Sequence, residues 1–354
     1  MKKPVTQILI AVGFVGYLAV MLLGTLLPKP EFSPLEKRYL AEFPEPDWQS
    51  VTSGEWGDAL ESWLADHVFL RNFFVGLDAY KERLLGQPGE IRVVEGRLVE
   101  APVTVDEADL EKKLATLRAF SETVGGNVTL ALVPSAGWAT GREEWKDDEM
   151  ISGICQRAGV ENLNLTSVFE NRPELFYRTD HHWTSRGAYE AYRAIAGYFG
   201  REIQEEFAVE TIPACFRGST YSRSALWLTP AEDMELWQGS GDITCTIPEE
   251  DAPKPVFARS RLTEADPYTV FLDGNHPLVR LNNPNASGKL LVIRDSYSNC
   301  LGPFLAESWG QVVMVDLRYY RQSVSALARE GFDQILVLYS LSNFLTDPNL
   351  ILLR

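Results

Sequence analysis

Residues 289–299, KLLVIRDSYSN, determine how the rest of the chain is arranged. The apolar run Leu290–Ile293 predicts a short buried strand, and the residues from about Ser298 to Trp309 predict a helix. The polar turn between them contains Ser296. A strand, a turn and a helix in this order are half of a strand-helix-strand unit, which predicts a parallel sheet.

The same alternation of strands and helices flanks this stretch on both sides. Before it, the pattern predicts a hairpin, a helix opened by a capping box of Thr104 and Glu107, and a strand. Residues 205–285 are rich in turn formers and aromatics with little periodicity, which predicts an insertion that covers the sheet. The fold class is therefore α/β. The remaining predicted elements are the hairpin strands Arg92–Glu95 and Arg97–Ala101, the strands Val128–Val133, Val312–Val315 and Ile335–Tyr339, and the helix Ser323–Glu330.

Ile8–Leu27 is an uninterrupted run of 20 residues without a charged side chain. At about 1.5 Å per residue it spans ~30 Å, the thickness of the hydrocarbon core of a bilayer. Lys2 and Lys3 precede it, which places the N-terminus in the cytoplasm and the remaining chain outside. A cleavable signal peptide is the alternative, but the run is longer than usual and has no small-x-small site before Pro28. A buried core helix is a further alternative, and we predict an uncleaved anchor.

The chain has 33 basic and 49 acidic side chains among 354 residues, a formal net charge of −16. Outside residues 1–28, which hold two lysines and no acids, the net charge is −18. No Lys/Arg cluster suited to a phosphate backbone is present, which excludes a nucleic-acid partner. We divide the chain into the cytoplasmic start and transmembrane anchor (1–28), a Pro-rich stalk and helical arm (29–90), and an α/β domain (91–354).

The four cysteines are too widely spaced to form a C-x-x-C pair. This spacing argues against a zinc ribbon or a thioredoxin-type motif. Cysteines outside the cytoplasm can oxidise, and Cys215 with Cys245 is the candidate disulfide pair.

Two polar segments carry the candidate chemistry. The first, RTDHHWT at 178–184, holds two of the four histidines and leads into a helix. An aspartate such as Asp180, two residues from a histidine, can fix one imidazole tautomer and stabilise its protonated form. The second is Ser296, between the carboxyl end of a strand and a helix start, where backbone N–H groups can stabilise an oxyanion. Together the two segments provide the three residue types of a nucleophilic triad.

Each segment also has other interpretations. A serine at a helix start, such as Ser296, is usually only an N-cap, and the turn with two histidines can serve packing alone. Asp180, His181 and His182 can also hold a metal ion, but no third independent ligand is evident. We therefore predict no metal site and no cofactor.

Several segments together resemble the bacterial DHHW protein family, in the expected order from about residue 30 to the C-terminus. They are TDHHWTSRGAYEAY (179–192), FRGSTYSRS (216–224), DPYTVFLDGNHP (266–277) and LLVIRDSYSNCLGPFLAESWGQVVMVDLRYY (290–320). The family is similar to SGNH-hydrolase-like alginate O-acetyltransferase proteins. The resemblance implies a three-layer parallel-sheet domain of the SGNH-hydrolase type with an insertion at about 205–285.

The resemblance also implies roles for individual residues. Those proteins carry an Asp-x-His-Trp motif and, much later, a Gly-Asp-Ser motif, so Asp180 is expected to orient His182, the base, and Ser296 to be the nucleophile. His181 falls on the variable position. Arg294 replaces the glycine, and we expect it to make the approach to Ser296 tighter or more polar.

Further candidates for substrate binding or oxyanion stabilisation are Arg318, Asn343, Ser135, Tyr221, Trp138 and Trp183. Arg318 follows a predicted strand and either assists an oxyanion or a sugar hydroxyl, or forms a surface salt bridge. Asn343 either supplies an oxyanion donor or caps a loop, and Ser135 is a similar rim position. The aromatic side chains either stack on sugar rings or pack in the core.

We predict a membrane-anchored extracytoplasmic acyl-ester enzyme, an O-acetyltransferase or acetylesterase, that acts on a cell-envelope polysaccharide through Ser296, His182 and Asp180. In the resembling systems a membrane-bound O-acyltransferase supplies the acyl groups, which makes such a protein an expected partner. The alternative is a catalytically silent SGNH-like scaffold that binds glycan or the acyltransferase, and Arg294 favours it. A metal-dependent hydrolase is the third hypothesis.

Overall fold

The structure, a computed structural model, describes residues 3–87, 89–239, 242–248, 250 and 252–353. The chain forms two compact units, Met1–Pro88 with Ser222–Leu228, and Gly89–Tyr221 with Thr229–Arg354. A short piece of the predicted insertion therefore belongs to the smaller, N-terminal unit.

The smaller unit begins with helix α1 (Lys3–Thr25), of which Val5–Thr25 is long and apolar enough to cross a membrane. The large apolar side chains along this helix are mostly exposed. The buried carboxylate of Asp66 accepts hydrogen bonds from Arg38 and from the backbone N–H of Ala41, which connects the segments that follow α1. The other elements are β1 (Phe32–Ser33), β2 (Arg38–Tyr39), α2 (Trp48–Ser53), α3 (Glu55–His67) and α4 (Arg71–Leu84).

The larger unit opens with the hairpin β3 (Ile91–Val94) and β4 (Arg97–Glu100), as predicted, followed by α5 (Glu107–Thr123). The prediction of a capping box at Thr104 is wrong. Asp106 is the N-cap instead, because its carboxylate accepts hydrogen bonds from the backbone N–H groups of Ala108 and Asp109.

A seven-stranded mixed sheet forms the centre of this unit, in the order β6-β5-β13-β11-β12-β10-β9. Five neighbouring strands, β6 to β12 in that order, are parallel. The insertion adds β10 and β9 antiparallel at one edge, which the sequence pattern did not predict. The strands are β5 (Val128–Val133), β6 (Glu161–Asn164), β9 (Thr244–Thr246), β10 (Leu278–Asn282), β11 (Lys289–Arg294), β12 (Gln311–Val315) and β13 (Gln334–Ser340); β7 (Ala208–Phe216) and β8 (Glu232–Gln238) form a separate antiparallel pair.

Helices cover both faces of the sheet. Alternate side chains of β11 enter two different cores: Val292 packs in the core that includes Tyr192 and Leu305, and Leu291 in the core that includes Leu114 and Ile151. The predicted three-layer α/β architecture is confirmed. The helices are α6 (Ala136–Ala139), α7 (Asp147–Ala158), α8 (Thr166–Phe169), α9 (Ser185–Tyr198), α10 (Ser219–Ser224), α11 (Tyr297–Ser308), α12 (Val324–Ala328) and α13 (Leu341–Thr346), with 3-10 turns at Pro173–Leu175, Arg259–Thr263, Pro267–Val270 and Pro348–Leu352.

All four cysteines have free thiols, so the Cys215–Cys245 disulfide considered from the sequence is not formed. Cys245 is buried in the core beside the sheet. Burial raises the pKa of its thiol to about 12, which keeps it protonated and unreactive at neutral pH.

The central position of β13 predicts a large effect of truncating its core side chains. Leu336 is fully buried in this strand. We expect Leu336→Ala to lower the free energy of unfolding by about 2–5 kcal/mol, because it removes apolar contacts and leaves a cavity. Denaturant unfolding of the full chain in detergent measures the effect. Ile351→Ala, at a half-exposed position, is the control and should cost much less; equal costs would contradict this description of the core.

Candidate active site

The turn after β11 is fixed by the buried carboxylate of Asp295. It accepts hydrogen bonds from the backbone N–H of Tyr297 at 3.0 Å, the backbone N–H of Ser340 at 2.8 Å and the side-chain amide of Asn343 at 2.8 Å. These bonds join the end of β11 to the end of its neighbour β13. Ser296 therefore occupies a rigid position at the carboxyl edge of the sheet, immediately before α11.

The DHHW loop is held by a second buried carboxylate, that of Glu232. It accepts hydrogen bonds from the backbone N–H groups of Arg178 and Thr179, both at 2.8 Å. Burial raises the pKa of Glu232, although these bonds act in the opposite direction. The loop is also tied to the serine turn, because the indole of Trp183 donates to the carbonyl of Tyr297 at 3.0 Å.

The two segments bring Asp180, His182 and Ser296 together. His182 Nε2 lies 2.8 Å from Ser296 Oγ, and His182 Nδ1 lies 2.5 Å from Asp180 Oδ1. All three residues are buried. The ring of Tyr268 stacks on the imidazole of His182 with the centroids 4.0 Å apart, which fixes the plane of the ring. This arrangement provides a hydroxyl, a base that can receive its proton and a carboxylate behind the base.

The electrostatic environment keeps Asp180 ionised. Burial alone would raise its pKa, but His182, His181 and hydrogen bonds hold the pKa well below the ordinary value of 3.8. The backbone N–H of Ser219 donates to Asp180 Oδ2 at 2.5 Å and the backbone N–H of His182 to Oδ1 at 2.8 Å. A carboxylate that stays charged can stabilise the imidazolium formed when His182 takes a proton.

Ligand atoms of Asp180, His181 and His182 lie within 4.8 Å of one another, as a metal site would require. However, both ring nitrogens of His182 already have partners, Asp180 and Ser296. A metal ligand on His182 would replace one of these hydrogen bonds. The geometry therefore favours the hydrogen-bonded triad over the metal hypothesis.

His181 borders a small cleft next to the triad. The lining is mainly apolar and includes Val99 and Leu341, with polar groups from Ser135 and Tyr297 among others. Burial, together with the neighbouring His182, lowers the pKa of His181 from its ordinary 6.5, so its imidazole is neutral at neutral pH. One ring nitrogen lies 2.6 Å from the hydroxyl of Ser219.

Arg294 does not border the approach to Ser296. Its side chain is fully buried, and Nη1 donates to the amide oxygen of Asn299 at 2.5 Å and lies 3.9 Å from Asp316. Among the described residues, Nε and Nη2 have no hydrogen-bond partner. The predicted effect of this arginine on access to Ser296 is therefore wrong; it packs behind the turn.

The other predicted site residues have different environments. Ser135 borders the cleft, whereas the amide of Asn343 donates to Asp295. Arg318 makes a two-pronged ion pair with buried Asp316, with Nη2 2.6 Å from Oδ2. Tyr221 is buried, and its backbone N–H donates to the carbonyl of Thr179.

The two tryptophans considered for sugar stacking also differ from each other. Trp183 has no exposed surface, so it is a core residue and the stacking interpretation is wrong. Trp138 is half-buried, and its indole donates to Asp148 at 3.1 Å.

Sequence reasoning did not assign roles to Gly218, Ser219, Glu232 and Tyr268, all from the insertion. Phe216 at the end of β7 pairs with Glu232 at the start of β8, which brings both strand ends to the DHHW loop. Two of the segments quoted for the family resemblance contain Gly218, Ser219 and Tyr268. The family resemblance could therefore have pointed to these three residues. The periodicity of the sequence does not indicate a role for them.

Comparisons with known proteins identify the fold. Residues 141–214 match the family model described as "SGNH hydrolase-like domain, acetyltransferase AlgX", a stretch that includes the DHHW loop and ends before Ser296. A DHHW family protein from Eubacterium siraeum is similar with a TM-score of 0.63 and 22% identity, covering 74% of this chain and 97% of that chain. PatB1 from Bacillus cereus, solved with a sulfonyl adduct, gives a TM-score of 0.60 and 17% identity over 73% and 97% of the two chains.

No curated protein matches the chain. The resemblance to DHHW and SGNH-hydrolase-like acetyltransferase proteins, predicted from the sequence, is confirmed by the family model and the structural similarity.

Gly218 provides a direct test of how Asp180 is positioned. A Cβ at residue 218 would collide with the Asp180 side chain. We expect Gly218→Ala to displace the carboxylate from His182 and to lower the rate at which Ser296 reacts with a fluorophosphonate by about 100-fold, since small misplacements at a reacting group cost that much. Gly153→Ala, which meets no neighbouring atom, is the control. Wild-type reactivity in a folded Gly218→Ala variant would contradict this role of the glycine.

Proposed function

We propose that this protein is a membrane-anchored, extracytoplasmic O-acetyltransferase or acetylesterase for a cell-envelope polysaccharide. The observation that carries the proposal is the continuous hydrogen-bonded series from Ser296 Oγ through His182 to Asp180, with distances of 2.8 and 2.5 Å. The match to an acetyltransferase family model over residues 141–214 supports the acyl-ester chemistry.

In the proposed reaction, His182 Nε2 takes the proton of Ser296 as its Oγ attacks the carbonyl carbon of an acetyl donor. The imidazolium that forms is stabilised by Asp180. Backbone N–H groups at the start of α11, beginning with that of Ser296, stabilise the oxyanion. His182 then protonates the leaving group, which departs and leaves the acetyl group on Ser296.

In the second half of the reaction, His182 takes a proton from the acceptor, and the acceptor oxygen attacks the acetyl-serine. The bond between the acetyl carbon and Ser296 Oγ then breaks, and His182 returns the proton to Oγ. The acceptor is a sugar hydroxyl in a transferase and water in an esterase. The small cleft beside His181 and Ser135 has a mainly apolar lining with a few hydroxyl and imidazole groups, which suits the methyl group of an acetyl ester together with one hydroxyl of the acceptor. A membrane-bound O-acyltransferase that supplies the acetyl group is the proposed partner.

Localisation is part of the proposal. Val5–Thr25 is apolar and long enough to span a bilayer, and Lys2 and Lys3 before it favour a cytoplasmic N-terminus. The reactive unit would then face the outside of the cell, where a cell-envelope polysaccharide is accessible.

Labelling with a fluorophosphonate and turnover of a chromogenic acetyl ester test the nucleophile. We expect the full-length wild type to label at Ser296, and Ser296→Ala and His182→Ala to lose labelling and at least about 1,000-fold of esterase activity. Ser298→Ala is the matched control, because this nearby buried hydroxyl has no hydrogen-bond partner among the described residues.

A chelator should change neither the labelling of Ser296 nor the esterase activity. Sensitivity of either measurement to a chelator would favour the metal hypothesis. A wild type that neither labels nor turns over an acetyl ester or an acetylated oligosaccharide would favour the silent scaffold.

The role of Asp180 predicts a large loss of reactivity when its charge is removed. Its pKa is depressed below 3.8 in the folded protein, so the carboxylate is ionised at neutral pH. Asp180→Asn should therefore reduce the labelling rate at pH 7 by about 1,000- to 10,000-fold. Labelling rates of both proteins at this pH measure the factor, and a folded variant that labels at the wild-type rate would contradict the role of Asp180.

A further inference from the structure

Helix α4 has an apolar stripe on its exposed side. Leu70, Phe73, Phe74, Leu77 and Leu84 recur at the three- and four-residue intervals that place side chains on one helix face. Their exposed fractions are 52, 60, 39, 55 and 88%. Outside α1, this is the most extended set of exposed large apolar side chains on one helix among the described residues.

A neighbouring face of α4 is the one that packs within its unit. Gly76 is buried against the indole ring of Trp227, whose Nε1 donates to the carbonyl of Asn72 at 2.9 Å. The hydroxyl of Tyr80 accepts a hydrogen bond from the backbone N–H of Leu228 at 3.1 Å. Since α4 already has a packed face, the apolar stripe is a second apolar surface that the unit leaves uncovered.

Leu70 is informative by itself. Its φ of 56° lies in the left-handed region, which is unfavourable for a residue with a branched side chain relative to glycine. With 52% of its surface exposed, its own packing does not compensate for that cost. A leucine here is explained if its side chain is covered by something outside the chain.

The stripe begins at the end of the membrane-spanning candidate α1. The backbone N–H of Phe69 donates to the hydroxyl of Thr25 at 3.1 Å, and the Phe69 ring lies against Gly24. The ammonium group of Lys29 donates to the carbonyls of His67 and Val68. These contacts fix the start of α4 at the level where α1 would leave the hydrocarbon core.

We propose that the stripe on α4 is a lipid-binding surface that lies in the outer interfacial layer of the membrane. The occupant is the bilayer because the start of α4 is bound to the end of α1, whose large apolar side chains are also exposed. The charge also fits: α4 has three basic and two acidic residues in a chain with a net charge of −16, and Lys81 lies on the stripe side. Phenylalanine, leucine and lysine are typical of interfacial helices. The inference rests on the proposed membrane anchor.

Site-specific photo-crosslinking tests the proposal in the full-length protein, reconstituted in vesicles of phosphatidylethanolamine and phosphatidylglycerol. A diazirine-bearing amino acid replaces Phe73, Leu77, Val12 or Glu82, one at a time. Val12 in α1 reports whether the anchor is embedded. Glu82 is exposed and lies five residues after Leu77, ~140° around the helix, as the control for the other side. All four sites are exposed, so folding is not at risk.

We expect lipid adducts at residues 73 and 77 with yields about tenfold above that at residue 82. An adduct at residue 12 without adducts at 73 and 77 would overturn the lipid-binding surface while leaving the anchor intact. Crosslinks from 73 and 77 to a second copy of the chain would also overturn it, in favour of an interface between copies. A missing adduct at residue 12 would instead refute the anchor on which the inference rests.

Discussion

The buried negative charge of Asp180 is the constraint on which the organisation of the active unit depends. A carboxylate removed from water is costly unless it is hydrogen-bonded and faces positive partners. Here one oxygen receives the N–H of His182 and faces its ring, and the other receives the N–H of Ser219. The bond from Ser219 requires the insertion to pack against the DHHW loop. It also requires glycine at position 218, because a side chain there would collide with the Asp180 carboxylate. The insertion therefore completes the site rather than decorating the sheet.

A second buried carboxylate performs the corresponding task for the serine. Asp295 binds the backbone of its own turn, the last residue of β13 and Asn343 after it, so the position of Ser296 is determined by two parallel strands and not by a loop. The contact between Trp183 and the carbonyl of Tyr297 then fixes the distance between the two segments. The hydroxyl and the imidazole are already at hydrogen-bond distance, which is the preorganisation that nucleophilic catalysis requires.

Four of the five parallel strands and the three proposed triad residues could be predicted from the sequence, because both depend on local patterns; the fifth strand, β6, is short and mostly polar and was not predicted. Leu290–Ile293 is a continuous apolar run, and Asp180, His182 and Ser296 stand in short motifs. The antiparallel strands β9 and β10 could not, since three residues such as Thr244–Thr246 have no periodicity to detect. The environment of Arg294 was also out of reach, because a fully buried arginine behind a turn contradicts the usual preference of this residue for the surface. Glu232 binds the backbone of Arg178 and Thr179, and Gly218 lies against Asp180. Both contacts join distant parts of the chain, which no local pattern encodes.

The position of β13 in the sheet has a consequence for the order in which the protein folds. It is the last strand in the chain, yet it lies between β5 and β11 near the middle of the sheet. Until residues 334–340 have been synthesised, β5 and β11 have no strand between them. The backbone N–H of Ser340, which donates to Asp295, comes from the same strand. The turn that carries Ser296 therefore receives this support only after β13 has been synthesised, well after Ser296 itself.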